Sequence, residues 1–326
     1  MTKIALALLS LTLVPAQQQT QELPPELDHL KALVVQENQL VDAARDFDKA
    51  QTRLGEGELE EAQELAKSGH VDEAKEKKEQ ALRRFRQIRT AYEFVLHHYP
   101  KNARAKTYHG EVLYDRFGDM ETAVKDWVEA ATLDPKLSSP YNDLGIHYCH
   151  FGEYTKGLQY YDKALELDPD NPDYLYNIVQ TYLTNFPEVQ SYRKWDKKKV
   201  YRQAMKLSKK AAKLAPNDFD LVRDYAMNFF AAENFGVKAD WKDAAEAWQR
   251  ALPLARNDAE RLNAWLNEAR VWKQAKDPAK ARSCIEEVLK IQPNNAVVKR
   301  LLSELPEKAL SETRPPKTNV MSRPAQ

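Results

Sequence analysis

The sequence predicts an all-α chain of stacked antiparallel helix hairpins, and three observations carry that prediction. A period of 34 residues recurs: Pro135 to Pro169, Gly118 to Gly152, Tyr114 to Tyr148 and Ala130 to Ala164 all obey it. Within a period, residues fall at helical spacing. Tyr141, Leu144, Gly145 and Tyr148 lie on one helical face, and Tyr154, Gly157, Tyr161 and Ala164 lie on a second. The composition agrees, with 43% hydrophobic and 30% charged residues but only nine glycines: enough apolar material for a core, too little glycine for an all-β domain.

The stretch Tyr141–Asn171 shows how one period folds. Gly152 separates the two faces, and glycine can take the left-handed conformation that closes a helix and opens a tight turn. Pro169 stops the second helix. This helix–turn–helix resembles the tetratricopeptide (TPR) repeat and matches it almost completely. The resemblance implies a right-handed α-solenoid, a TPR superhelix, because a single hairpin cannot bury its apolar face and must stack on neighbours.

Taken in order, Met1–Ala16 reads as a signal peptide: Lys3 gives a positive start, Ile4–Val14 is mostly apolar, and Val14-Pro15-Ala16 offers a cleavage site. An exported protein, periplasmic or secreted, starting at Gln17 is expected, with no transmembrane segment after cleavage. Residues 17–25 form a polar linker ending in Pro24-Pro25. Leu27, Leu30, Val34, Val41, Ala44, Phe47 and Leu54 then predict a long amphipathic helix that Gly55 and Gly57 interrupt or end. Ala62, Leu65, Gly69, Ala74 and Ala81 repeat the spacings of Gly145, Tyr148, Gly152, Gly157 and Ala164. Residues 26–100 are therefore expected to form a long hairpin holding a degenerate first repeat, its second helix running from about Val71 to His98.

Five TPR-like repeats are expected over residues 104–295. The third is lengthened, since Pro169 to Pro216 spans 47 residues; the excess is placed around Asn185–Lys199, where Pro187 would break a helix. The fourth carries a second insertion at Glu233–Asp240. The last lacks an inter-helix glycine, and Asp277-Pro278 can make that turn. Asn295 is expected to cap a final helix, residues 296–305, with Val297, Val298, Leu301 and Leu302 inward. Residues 306–326, with four prolines and no apolar period, read as a disordered tail.

The resemblance implies that the first helices of successive repeats line a concave groove that binds a peptide or protein. Projected onto this chain, the lining is Tyr108, Val112 and Asp115; Asn142, Ile146 and Cys149; Tyr176, Gln180 and Leu183; Arg223, Met227 and Phe230; and Leu266, Arg270 and Lys273. One TPR subclass grips C-terminal carboxylates with a lysine–asparagine clamp. Here Tyr108 and Val112 stand where its first Lys and Asn would be and only Asn142 fits, which argues against that role.

The most polarised local feature is a basic stripe within residues 193–213. Lys199, Arg202, Lys206, Lys209 and Lys213 recur at helical spacing. Such a run is ordinarily the solvated face of an outer helix; as a binding surface it would suit an anionic polymer, an anionic lipid or an acidic partner. The chain as a whole has 49 basic and 49 acidic residues, so it makes no electrostatic case for nucleic acid. No phosphate loop, nucleophile elbow or H-E-x-x-H motif occurs, and His147, Cys149 and His150 find no companion to complete a metal set. No enzyme activity, cofactor or metal is expected. Cys149 and Cys284 lie in distant repeats and are expected to be reduced, buried thiols.

The sequence thus points to a non-catalytic scaffold that binds a protein or peptide partner in its groove, in an exported or envelope complex. The alternative is an adaptor that uses the basic stripe on an anionic surface.

Overall fold

A computed structural model describes residues 23–306, all of them helix, turn or loop with no strand. The signal peptide, residues 17–22 of the linker and residues 307–326 of the tail lie outside the described residues. The fold is an α-solenoid, built in two compact units that divide between Pro169 and Asp170.

The first unit opens with a 3-10 turn, Pro25–Leu27, and a single turn of α-helix, α1 (Asp28–Lys31). Helices α2 (Glu37–Lys67) and α3 (Val71–His98) follow as a long hairpin. The amphipathic run from Leu27 is therefore broken near residues 32–36 and is not one helix. There the backbone turns, and the Tyr99 hydroxyl donates to the Val34 carbonyl at 2.5 Å. Nor do Gly55 and Gly57 end the helix: α2 runs through both. A Cβ at Gly55 would lie 2.8 Å from the Phe85 ring, so this glycine lets α3 approach closely. Its intrinsic cost in a helix, about 1 kcal/mol, is offset by that packing. Leu27, Leu30, Leu40, Val41, Ile88 and Tyr92 are fully buried between these elements.

Two shorter hairpins complete the unit: α4 (Ala103–Val112) with α5 (Met120–Leu133), and α6 (Ser139–His150) with α7 (Tyr154–Leu167). The inter-helix glycines Gly69, Gly118 and Gly152 all take positive φ, +89°, +67° and +82°, as a tight helix-to-helix turn requires. Between α4 and Gly118 lies a π turn, Leu113–Phe117. It absorbs one extra residue, so Gly110 to Gly118 spans eight positions where Gly145 to Gly152 spans seven.

The second unit begins with α8 (Pro172–Thr184). The first insertion folds as a helix of its own, α9 (Phe186–Arg193), before α10 (Lys197–Leu214). Pro187 starts α9 instead of breaking a helix, because a first-turn proline gives up no intrahelical hydrogen bond. Next come α11 (Phe219–Met227), which continues as a 3-10 segment to Phe235, and α12 (Trp241–Ala251). Helices α13 (Asp258–Gln274) and α14 (Pro278–Ile291) form the last hairpin. Its turn places Lys276 at φ +60°, and the Asp277 side chain caps α14 through the Lys280 amide at 3.1 Å. The final helix, α15 (Ala296–Ser303), is capped by Asn295, which accepts from the Val298 amide at 3.1 Å. Val298 and Leu301 face inward, but Val297 is 49% exposed; it falls one residue, about 100° of helix, off the buried stripe.

Asp or Asn side chains cap most of these helices, among them Asn102, Asp119, Asn171, Asp196, Asp218, Asp240 and Asn257. Each cap is worth on the order of 1 kcal/mol. Trp248 is the largest fully buried side chain and anchors the core shared by α11 to α15. Full burial of such a side chain contributes roughly 3 kcal/mol. No described helix is long and apolar enough to cross a membrane.

Candidate functional site

In the first unit, the first helices α2, α4 and α6 bring a polar network together around Tyr108. Arg45 on α2 pairs with Asp48 at 2.8 Å and with Glu111 on α4 at 3.0 Å. Its guanidinium carbon lies 4.1 Å from the centre of the Tyr108 ring. Asp48 also accepts from the hydroxyls of Tyr92 at 2.8 Å and Thr52 at 3.0 Å. Asn142 is buried, and its amide donates to Asp143 Oδ1 at 3.1 Å; the other oxygen of Asp143 has no hydrogen-bond partner among the described residues. Ile146 is half-buried.

Burial raises the pKa of Glu111 most strongly. Arg45 opposes the rise, and the Asp48 and Asp115 carboxylates add to it, leaving Glu111 at about 7. Burial, then the charge on Glu111, holds Asp143 well above the usual carboxylate range. Glu111 thus exchanges a proton near neutral pH, with a second raised carboxyl, Asp143, in the same unit. Inspection of the sequence by the 34-residue period missed Glu111 and Asp143. The period points to Val112, which is buried at 5% exposure. The π turn explains why Glu111 is missed, because it shifts α4 by one residue against α6 and sets Glu111 where the period sets Val112; it does not account for Asp143. The unequal glycine spacing was the available signal.

In the second unit, Tyr176 on α8 is half-buried, and Gln180 donates to Asp224 on α11 at 2.8 Å, joining two first helices. Burial raises the pKa of Asp224. Arg223 pairs with Asp220 at 3.1 Å, and Met227 is 39% exposed. On α13, Arg270 donates to Asn267 at 3.0 Å and Lys273 pairs with Glu304 at 2.5 Å. The exposed or half-exposed groups on these first helices include Arg223, Met227, Arg270 and Lys273.

The basic stripe lies on α10, opposite the buried Val200, Tyr201, Ala204, Ser208 and Ala211. Lys209 is tied to Asp243 at 3.2 Å, and Lys199 lies 5.0 Å from the Trp195 ring. Arg202, Lys206 and Lys213 are exposed. Cys149 does not line a groove: it is buried against Gly157 in the α6–α7 contact, where an added Cβ would collide with its sulfur. Cys284 is buried as well, and neither cysteine is in a disulfide. His147 packs among Tyr114, Tyr148 and Phe151, and burial lowers its pKa. No cluster of three potential metal ligands occurs among the described residues.

Tetratricopeptide repeat models match residues 59–138, 139–171 and 262–295. The chain carries TPR repeats over these stretches. Residues 172–261, which hold both insertions, lie outside the matched stretches of the TPR chain. Tetratricopeptide repeat protein 6 of Homo sapiens is 36% identical over 70 residues, which is 22% of this chain and 14% of that protein. Small glutamine-rich tetratricopeptide repeat-containing protein 2 of Mycosarcoma maydis is 31% identical over 58 residues, 18% of this chain and 16% of that protein. The TPR chain thus spans under a fifth of the length of these relatives. Photosystem I assembly protein Ycf3 of Rippkaea orientalis is 29% identical over 136 residues, 39% of this chain and 78% of that protein. Among solved structures, YrrB, described as a TPR protein with an unusual peptide-binding site, aligns with a TM-score of 0.48 at 17% identity, over 64% of this chain and 96% of that one. TPR proteins in general mediate protein–protein interaction, and the TPR scaffold is typically non-catalytic.

Proposed function

We propose that the TPR chain is a non-catalytic scaffold that holds a peptide or protein partner on the first-helix faces of its repeats, within an exported or envelope complex. The observation that carries this reading is the content of those faces. Tyr108, Ile146, Tyr176, Met227, Arg223 and Arg270 all stay partly or well exposed on first helices. Half-exposed aromatics, a methionine and arginines are the side chains that protein interfaces favour. Export rests on the N-terminal pattern Met1–Ala16.

A second reading keeps the basic stripe as the binding surface. It is favoured by one observation: Lys199, Arg202, Lys206 and Lys213 form no ion pair within 4 Å among the described residues, in a chain where many cations are paired. Affinity capture from the native extract, with the full chain lacking residues 1–16, separates the two. One variant carries Tyr108, Tyr176 and Met227 changed to alanine; the other carries Lys199, Arg202 and Lys206 changed to glutamate. Loss of a partner only in the first supports the first-helix faces. Loss only in the second, with binding that falls steeply as salt rises, moves the site to α10.

A further inference from the structure

Helices α12, α13 and α14 line an open pocket of about 350 Å³, formed by Gln249, Leu252, Trp265, Glu268, Trp272 and Lys280 with Cys284 at its base. It lies on a different face of α13 from Arg270 and Lys273. Glu268 is 3% exposed, in a core that is otherwise apolar. One of its oxygens, Oε1, accepts from Gln249 Nε2 at 3.0 Å and from Trp272 Nε1 at 3.1 Å. The other, Oε2, is buried and takes no hydrogen bond from nitrogen or oxygen; the Cys284 thiol lies against the carboxyl, and Glu268 forms no ion pair among the described residues. Burial, then Glu268 itself, pushes the pKa of the neighbouring Cys284 thiol up, so the thiol stays neutral beside the carboxyl.

A carboxyl this deep in a protein is ordinarily matched by a cation. Here the hydrogen-bond donors on one oxygen hold the group in place, and the matching charge is missing. The tryptophans fit the same deficit, since an indole face attracts a cation through its quadrupole. The structure already shows such a contact: Lys280 Nζ sits 4.0 Å from the centre of the Trp272 ring, on a side chain that is 58% exposed.

We propose that Trp265, Trp272 and Glu268 form a recognition pocket for an organic cation, an alkylammonium or guanidinium group, with Lys280 as the resident group that it displaces. The cation need not touch Oε2. Near a protein surface, Coulomb attraction over a few ångströms is still about fourfold stronger than in bulk water. The cavity is large enough for the end of an arginine or lysine side chain, so the ligand is either a free small cation or such a side chain on a partner. This inference does not rest on the first-helix faces and stands or falls apart from them.

Isothermal titration of the full chain with butylguanidinium, and with the neutral pentanol as control, tests the pocket. Butylguanidinium is expected to bind at least fivefold tighter than pentanol. Glu268→Gln should weaken it at least fivefold, and Lys280→Met, which frees the Trp272 face, should tighten it severalfold. A blocked tripeptide centred on arginine distinguishes the sources: tighter binding than butylguanidinium assigns a partner side chain, weaker binding a free cation. Equal affinity for pentanol, or no heat with either the native chain or Lys280→Met, overturns the proposal. Lys280 is exposed, so this last variant keeps the test valid if Glu268→Gln fails to fold.

Discussion

The two units are built on the same hairpin but differ at their turns and on their first-helix faces. The first unit closes its hairpins with glycine, at Gly69, Gly118 and Gly152; the second puts Lys194 and Lys276 at positive φ as well as Gly236. The first gathers Asp48, Glu111 and Asp143 around a single arginine, Arg45, while the second shows Arg223, Arg270 and Lys273 beside Met227. The first therefore has a carboxyl-rich face whose charge depends on pH near neutrality, and the second a mixed face on which Arg223 and Lys273 are paired with acids. Repeat geometry fixes where a side chain points and leaves its chemistry free, so units of one architecture can present chemically different faces.

The largest effect is expected where glycine lets helices touch. A Cβ at Gly145 would lie 2.6 Å from the Tyr161 ring. Gly145→Val should destabilise the first unit by about 3 kcal/mol or more, read in a urea melt followed by Trp127 fluorescence. Trp127 is the sole tryptophan among residues 1–169, so it reports on that unit alone. A loss under about 1 kcal/mol would show that the α6–α7 contact is looser than drawn.

A smaller effect tests the carboxyl face. Glu111 stands at about 7 in the fold against an ordinary 4.5, so between those values the folded chain binds more protons than the unfolded one. Stability should therefore be fullest below about pH 4.5 and fall as pH rises through 7. Glu111→Gln should remove about 1–3 kcal/mol of that fall, seen as a flatter dependence of the melting midpoint on pH. Arg270→Gln in the second unit should leave the pH profile unchanged. Equal flattening by it would erase the contrast between the units.

The smallest effect concerns the turns. Lys276 pays for a left-handed conformation that glycine adopts freely, so Lys276→Gly should stabilise the chain by about 0.5–1 kcal/mol. Gly152→Lys should cost about as much. A destabilising Lys276→Gly would mean that the Lys276 side chain contributes contacts that outweigh its backbone strain.

Much of the fold was legible in the sequence because it depends on spacing. The period placed the turns at Gly69, Gly118 and Gly152, and helical periodicity placed the packed face of α10. What spacing does not carry was read less well. Gly55 reads as a helix breaker until Phe85 is seen against it, since local propensity holds no information on a partner 30 residues away. Val112 was chosen over Glu111 because a π turn moves register by one residue without leaving a motif. Asp143 and Glu268 are ordinary acids by sequence; only burial and absent partners distinguish them.

Hydrogen exchange on the partner-bound TPR chain tests the central claim most directly. Binding on the first-helix faces predicts slowed exchange in α4, α6, α8, α11 and α13, with α5, α7 and α10 unchanged. Slowing confined to α10, or to second helices alone, would contradict it.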